Sequence, residues 1–359
     1  MPTMLVLGDS ILWGQGLAEA QKCTAWLAHS WGQAVGTTVT IHRFAHSGAD
    51  IWDDGQSGVL AALNPSPPVF PTVLPGDKAV LWTRGSQNTQ AERDQVGEIP
   101  SEDPYLLRQI LDARDTVGPL GPVDLVVVDM GINDTAVYDL VLPGKHKGAV
   151  VARARSLAPR VRFTLDRIRA AFPDARVLVT GYYAVVSRKT DLTQLTQFID
   201  RVIDAAAREH VHVPWLPRLA TVPVVGRAVH DVFALVDQDL AARCADWRDA
   251  MHDVLRTAVA RLDGGRNMAA FVDPVFQPEH ALFAPETLLW PFVNGHPTDP
   301  RAGERRAWCD ATGTEGFDRL VVECASLGHP SPAGAERYGQ ALMDAAEKIG
   351  LFRRNPLAT

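Results

Sequence analysis

The sequence predicts an α/β protein built on a parallel sheet with helices on both faces. Three observations carry this prediction. Five short apolar segments have the composition of buried strands, helical patterns lie between them, and one run, DLVVVDMG, is near-continuously β-branched. Such a run suits a strand covered on both faces, and strands alternating with helices define a parallel sheet. The chain has 359 residues, with no internal repeat and no linker-like low-complexity stretch. One domain over 1–359 with insertions is therefore expected.

In chain order, residues 4–7 form the first strand, and Gly8, Asp9 and Ser10 follow it directly. Residues 18–35 carry apolar positions at helical spacing, and 38–44 read as the second strand. A helix is expected over 104–113, where Pro104 after Asp103 makes a good start. Residues 124–129 give the third strand, 150–172 a helix, and 176–180 the fourth strand. Helices over 191–208 and 230–262 precede a fifth strand at 268–272. A last helix, 333–349, opens after Ser331 and Pro332. Two stretches, about 51–100 and 274–319, are rich in Pro with few strand signals, and read as long loop insertions. Loops of that length serve a site or decorate the surface. Both would emerge near the C-terminal strand ends, where open α/β sheets bind ligands.

Lys and Arg total 35 against 42 Asp and Glu, a formal net charge of −7, which argues against a nucleic-acid partner. No apolar run approaches the roughly 18 residues of a membrane helix. The first residues, MPTMLVLGDS, lack a charged leader and a long apolar core. A cytoplasmic chain, a processed one and one exported without a leader all remain open. Cys23, Cys244, Cys309 and Cys324 form no metal-ligating pattern. Buried free thiols are the expectation, with a Cys309–Cys324 disulfide as the minority alternative.

Phosphate-binding loops, HExxH zinc sites, EF-hands and the GxSxG nucleophile elbow are all missing. What remains is Gly8-Asp9-Ser10-Ile11 after the first strand. A serine there is a nucleophile or merely a helix cap. Gly48 follows the second strand, Gly131, Asn133 and Asp134 follow the third, and His329 precedes the last helix. A parallel sheet brings these loops to one edge. Ser as nucleophile, His as base, and Gly N–H with an Asn amide as oxyanion donors would make a complete acyl-transfer set.

With these blocks the chain resembles the SGNH hydrolases, also called GDSL lipases/esterases. The resemblance rests on GDSILWGQG, the glycine of AHSGAD, GIND, and GHPSPAGAERYG, in the family's order from Gly8 to Gly339. It implies a flavodoxin-like three-layer α/β/α sandwich with a five-stranded parallel sheet. It also implies Ser10 as nucleophile and His329 as general base. The oxyanion hole would comprise the backbone N–H groups of Ser10 and Gly48 and the side chain of Asn133. No metal or organic cofactor is implied.

One position departs from the family. It usually has Asp three residues before the catalytic His, and here Ser326 stands there. A backbone carbonyl at or near Ser326 is the first candidate to orient His329, with Glu323, Glu279 and Asp310 as alternatives. Trp13 either lines an acyl pocket or packs in the core, and Asp9 supports the nucleophile turn. Asp134 holds its loop by hydrogen bonds. His46, Ser47, His280 and His296 read as loop residues. The leading function is carboxylic-ester hydrolysis on a small-molecule or lipid ester, with transient lipid-surface contact suggested by the apolar insertions. Acyl transfer to an alcohol or sterol, and a non-catalytic binding domain on the same scaffold, are the alternatives.

Overall fold

The structure is a computed structural model that describes residues 1–51, 98, 105–135, 140, 147–208, 227–293 and 296–352. Strand β1 (Thr3–Leu7) lies between β2 (Thr40–Arg43) and β3 (Leu125–Val128), and β4 (Arg176–Thr180) and β5 (Ala269–Val272) continue beyond β3. Every pairing is parallel, in the order β2-β1-β3-β4-β5. All five strands fall where the apolar segments predict them. Met4 to Leu7 and Leu125 to Val128 are fully buried, which explains their lack of polar alternation, whereas edge strand β2 is half-buried throughout.

In this order the chain leaves β1 toward β2 and later returns on the other side to β3. The loops after β1 and β3 therefore part at the C-terminal edge, the position where open α/β sheets bind ligands. Ser10, Gly48 and Asn133 follow the three adjacent strands β1, β2 and β3.

Helices complete the three layers. The short α1 (Ser10–Trp13) follows β1, then come α2 (Cys23–Val35), α3 (Leu106–Thr116), α4 (Lys147–Ser156) and α5 (Ala158–Ala171). They are followed by α6 (Leu192–Arg208), α7 (Arg227–Asp263), α8 (Ala302–Thr312), α9 (Gly316–Glu323) and α10 (Pro332–Lys348). Helix α2 packs on α10, while α7 lies along α4, α5 and β5.

Several boundaries differ from the sequence pattern. The helix expected over 18–35 is broken at Lys22, whose extended backbone (φ −67°, ψ 142°) separates a single 3₁₀ turn from α2. The 150–172 pattern is two helices parted at Leu157, with Pro159 at the start of the second, where its missing N–H costs no helical bond. The stretch 274–319, expected as loop, carries α8, the start of α9 and a two-stranded antiparallel pair, Phe292–Val293 with His296–Pro297. The other expected insertion lies outside the described residues apart from Ile51 and Glu98. The four cysteines are free, so Cys309 and Cys324 are not bridged.

Candidate active site

The turn after β1 is held from three directions. Gln109 on α3 accepts the Gly8 N–H at 2.7 Å and donates to the Gly8 carbonyl at 2.9 Å. Asp9 caps α1 by accepting the Ile11 N–H at 2.9 Å, the supporting role its place in the sequence predicts. Asp129, at the end of β3, accepts the Asp9 N–H at 2.6 Å and the Leu12 N–H at 3.1 Å. Gly8 is obligatory here, because its φ is +128° and an added Cβ would lie 1.7 Å from Asp129 Oδ1. The Tyr182 hydroxyl, just after β4, donates to Asp9 Oδ2 at 2.9 Å. Burial raises the pKa of both Asp9 and Asp129, and Asp129, repelled by its neighbour, stands well above the ordinary carboxylate value.

This scaffold presents Ser10 as the first residue of α1, and His329 Nε2 lies 2.6 Å from Ser10 Oγ. The imidazole comes from the loop before α10. That loop is fixed residue by residue. The His329 N–H donates to the Ser326 carbonyl at 2.9 Å, closing a turn whose third residue, Gly328, has the left-handed φ of +74° that such a turn requires. Tyr183 Oη donates to the Gly328 carbonyl at 2.7 Å, and Trp290 N–H donates to the His329 carbonyl at 2.7 Å. Leu289 and Pro330 form an isolated antiparallel bridge beside it.

Burial pushes the His329 imidazole down to about 4, against the opposing pull of the Ser326 and Leu327 carbonyls. The ring is thus neutral at pH 7, the state in which Nε2 can accept a proton. Its Nδ1 is buried and makes no hydrogen bond among the described residues. Glu279, Glu323 and Asp310, the acids weighed for it in the sequence, make no hydrogen bond to the ring; Glu323 and Asp310 instead hold Arg319 at 2.6 and 2.7 Å.

The second and third loops are tied to the first and to each other. His46 N–H donates to the Gly8 carbonyl at 3.0 Å, and the Asn133 amide donates to the Ala49 carbonyl at 2.8 Å. Asp134 Oδ2 accepts the Ile51 N–H at 3.0 Å, as its loop-holding role predicts. Gly48 adopts φ +82°, and among the described residues neither its N–H nor that of Ser10 donates a hydrogen bond. An Asn133 amide carries two hydrogens, so the bond to Ala49 leaves one for a ligand. Trp13 is half-buried; its Nε1 donates to Glu98 at 2.9 Å and the Lys22 ammonium lies 3.9 Å over its ring. His46 turns its Nδ1 to the Ser47 carbonyl, His280 Nδ1 accepts the Gln277 N–H, and His296 is exposed in the insertion.

Sequence reasoning missed a buried cluster behind the His329 loop. Arg305 on α8 is fully buried and pairs with Asp299 at 2.6 Å and Glu98 at 2.7 Å. Ser326 Oγ donates to Asp299 Oδ2 at 2.5 Å. Asp299, Arg305 and Glu98 fall in stretches that read as insertion, and pairings spanning 207 residues leave no local pattern.

No cluster of three or more His, Cys, Asp or Glu side chains able to hold a metal occurs among the described residues. No described helix is long and apolar enough to cross a membrane.

No protein-family model matches the chain, and no curated protein matches it in sequence. Among solved structures it is similar to an extracellular lipase from Streptomyces rimosus at 16% identity and a TM-score of 0.47, over 96% of this chain and 100% of that one. It is also similar to phospholipase A1 from Streptomyces albidoflavus at 14% identity and a TM-score of 0.43, over 96% and 98% of the two chains. An aryl esterase from M. smegmatis aligns at 12% identity and a TM-score of 0.37, over 97% and 100%.

Proposed function

We propose that the chain is a single SGNH-hydrolase-like domain that cleaves carboxylic esters of small molecules or lipids through an acyl-enzyme. The observation that carries this reading is the 2.6 Å contact between Ser10 Oγ and a neutral His329 Nε2 at the mouth of a parallel sheet. Ser10 Oγ attacks the ester carbonyl carbon while its proton passes to Nε2. The carbonyl oxygen becomes an oxyanion that accepts from the N–H groups of Ser10 and Gly48 and from the free hydrogen of the Asn133 amide. The imidazolium then protonates the leaving alkoxide oxygen as the carbon–oxygen bond breaks. Water, deprotonated by His329, attacks the acyl-serine and frees the acid and Ser10. Nδ1 carries its hydrogen whenever Nε2 is free to accept a proton, and the Ser326 carbonyl is the acceptor assigned to that Nδ1–H. Trp13, one turn along α1 from Ser10, is the substrate-contacting residue, held in place by Glu98.

The reading is tested by treating the protein with a fluorophosphonate and mapping the modified peptide. Modification at Ser10, abolished in Ser10→Ala and in His329→Ala, is the expected result. Modification at a different serine overturns the assignment. Turnover of p-nitrophenyl acetate with and without an acceptor alcohol separates hydrolysis from acyl transfer.

A further inference from the structure

We propose that Asp299 and Arg305 are positioning residues for His329, acting through Ser326 in place of the acid that position 326 lacks. The inference rests on the ester-hydrolase reading above and names residues that the sequence pattern does not assign.

The geometry is that of a closed clamp. Ser326 is fully buried; its hydroxyl donates to Asp299 Oδ2 at 2.5 Å and accepts from Arg305 Nη2 at 3.2 Å. Arg305 is forked onto Asp299 by two bonds, Nη1 to Oδ1 at 3.0 Å and Nη2 to Oδ2 at 2.6 Å. It also donates to the Glu323 carbonyl at the end of α9, through Nε at 3.2 Å and Nη2 at 3.1 Å. Planar two-bond pairing of this kind fixes orientation as well as distance. Ser326 therefore cannot turn, and its carbonyl is the acceptor that closes the turn to His329.

The same clamp reaches the nucleophile from the other side. Arg305 Nη1 donates to Glu98 Oε1 at 2.7 Å, and that oxygen also accepts the Gly16 N–H at 2.7 Å and the Gln15 amide at 3.0 Å. Glu98 Oε2 takes the Trp13 indole. One buried guanidinium thus links the loop bearing the base to the residues that follow the nucleophile, so the 2.6 Å Ser10–His329 contact is held at both ends.

The charges also act on the ring. Asp299 favours the protonated imidazole and Arg305 disfavours it. Arg305 acts on the ring more strongly than Asp299, so the clamp serves His329 by holding the Ser326 turn in place and not by a net favourable charge. Ser326 in the usual acid position is then a spacer between His329 and a carboxylate brought in from the second insertion.

The test measures kcat, KM and the pH dependence of kcat/KM on p-nitrophenyl acetate for wild type, Asp299→Asn and Arg305→Gln, alongside fluorophosphonate labelling. Both variants should lose kcat by about tenfold or more, a part of the roughly hundred- to ten-thousand-fold that a positioned base supplies, with KM changed little. Their acidic limbs should move in opposite directions: down in pH for Asp299→Asn, up for Arg305→Gln. A packing role alone would lower kcat without opposite shifts. Folded variants with unmoved limbs and wild-type kcat overturn the proposal while wild-type labelling at Ser10 leaves the ester-hydrolase reading standing. Absence of wild-type labelling at Ser10 overturns both. Should the charge variants fail to fold, as broken buried pairs can, Ser326→Ala removes only the linking hydroxyl. Reduced kcat at constant KM then supports the clamp, and unchanged kcat overturns it.

Discussion

His329 Nε2 meets Ser10 Oγ at 2.6 Å across 319 residues of chain, and the imidazole that makes this contact is held neutral by burial to about pH 4. If His329 acts as the proposed base, so low a pKa keeps it competent in mildly acidic solution. The acidic limb of kcat/KM, which reports the free enzyme, should therefore fall near pH 4 and not near the ordinary histidine value of 6.5. The same shift acts on stability. The unfolded chain binds a proton at this histidine below 6.5 and the folded one does not until about 4, so stability falls as pH drops through that window. His329→Ala should flatten this part of the denaturation profile while removing activity by about a hundredfold or more. A limb at 6.5 in wild type would contradict the burial of the ring.

Asn133 donates one amide hydrogen to the Ala49 carbonyl, and its other hydrogen is the donor proposed for the oxyanion. Asn133→Ala should lower kcat by about a hundredfold or more, roughly 3 kcal/mol of transition-state stabilisation, with a smaller effect on KM. Circular dichroism should show a folded protein. Loss of the bond to Ala49 also loosens the turn bearing Gly48, so Asn133→Asp, which keeps an acceptor but loses the donor, should fare no better. Full activity in Asn133→Ala would remove this side chain from the oxyanion hole.

The sheet was legible because its central strands are apolar without interruption, and burial on both faces demands that composition at Met4–Leu7 and Leu125–Val128. The loops carrying Ser10, Gly48 and Asn133 were legible because small or turn-forming residues punctuate those strand ends, and the His329 loop because Gly328, Pro330 and Pro332 mark the start of the last helix. Helix interruptions were not. Lys22 sits inside an otherwise helical spacing, and Pro159, two residues after Leu157, is the one local mark of the second break. Helix α8 hid behind proline- and aromatic-rich flanks, although Glu304 in its first turn and Gly313 at its left-handed end are ordinary boundary signals. The Asp299–Arg305–Glu98 cluster had no local signal at all, since charged residues in an insertion read as solvated until the fold buries them.

Gly8 tests how closely the turn that presents Ser10 is built. Its φ of +128° already excludes most side chains, and a Cβ would sit 1.7 Å from Asp129 Oδ1. Asp129 cannot retreat without abandoning the N–H groups of Asp9 and Leu12. Gly8→Ala should therefore destabilise by about 3 kcal/mol or more, the upper end of overpacking costs, and should lose activity even where it remains folded. Urea denaturation and p-nitrophenyl acetate turnover check this. A variant with wild-type midpoint and rate would show that the turn is more pliable than its contacts indicate.

The acid pair beneath that turn has the opposite linkage to His329. Asp9 and Asp129 are buried together, and both are raised above the ordinary carboxylate value of 3.8. The folded protein thus retains a proton that the unfolded chain releases, so this pair's contribution to stability is fully present below 3.8 and declines as pH rises toward the folded-state value. Asp129 is the more strongly raised of the two, and Asp9 already accepts from Ile11 and Tyr182. Asp129 is therefore the member of the pair whose charging costs the folded state more. Replacing it with a group that cannot ionise should remove the decline. In Asp129→Asn, the stability difference from wild type should shift in the variant's favour as pH is raised from about 4 to about 8, because the unfavourable charging of Asp129 is absent. His329 is common to both proteins and cancels from the difference. Urea denaturation at several pH values measures it directly. A difference that stays constant over that range would mean that both carboxyls ionise normally and that the turn bearing Ser10 rests on two charges.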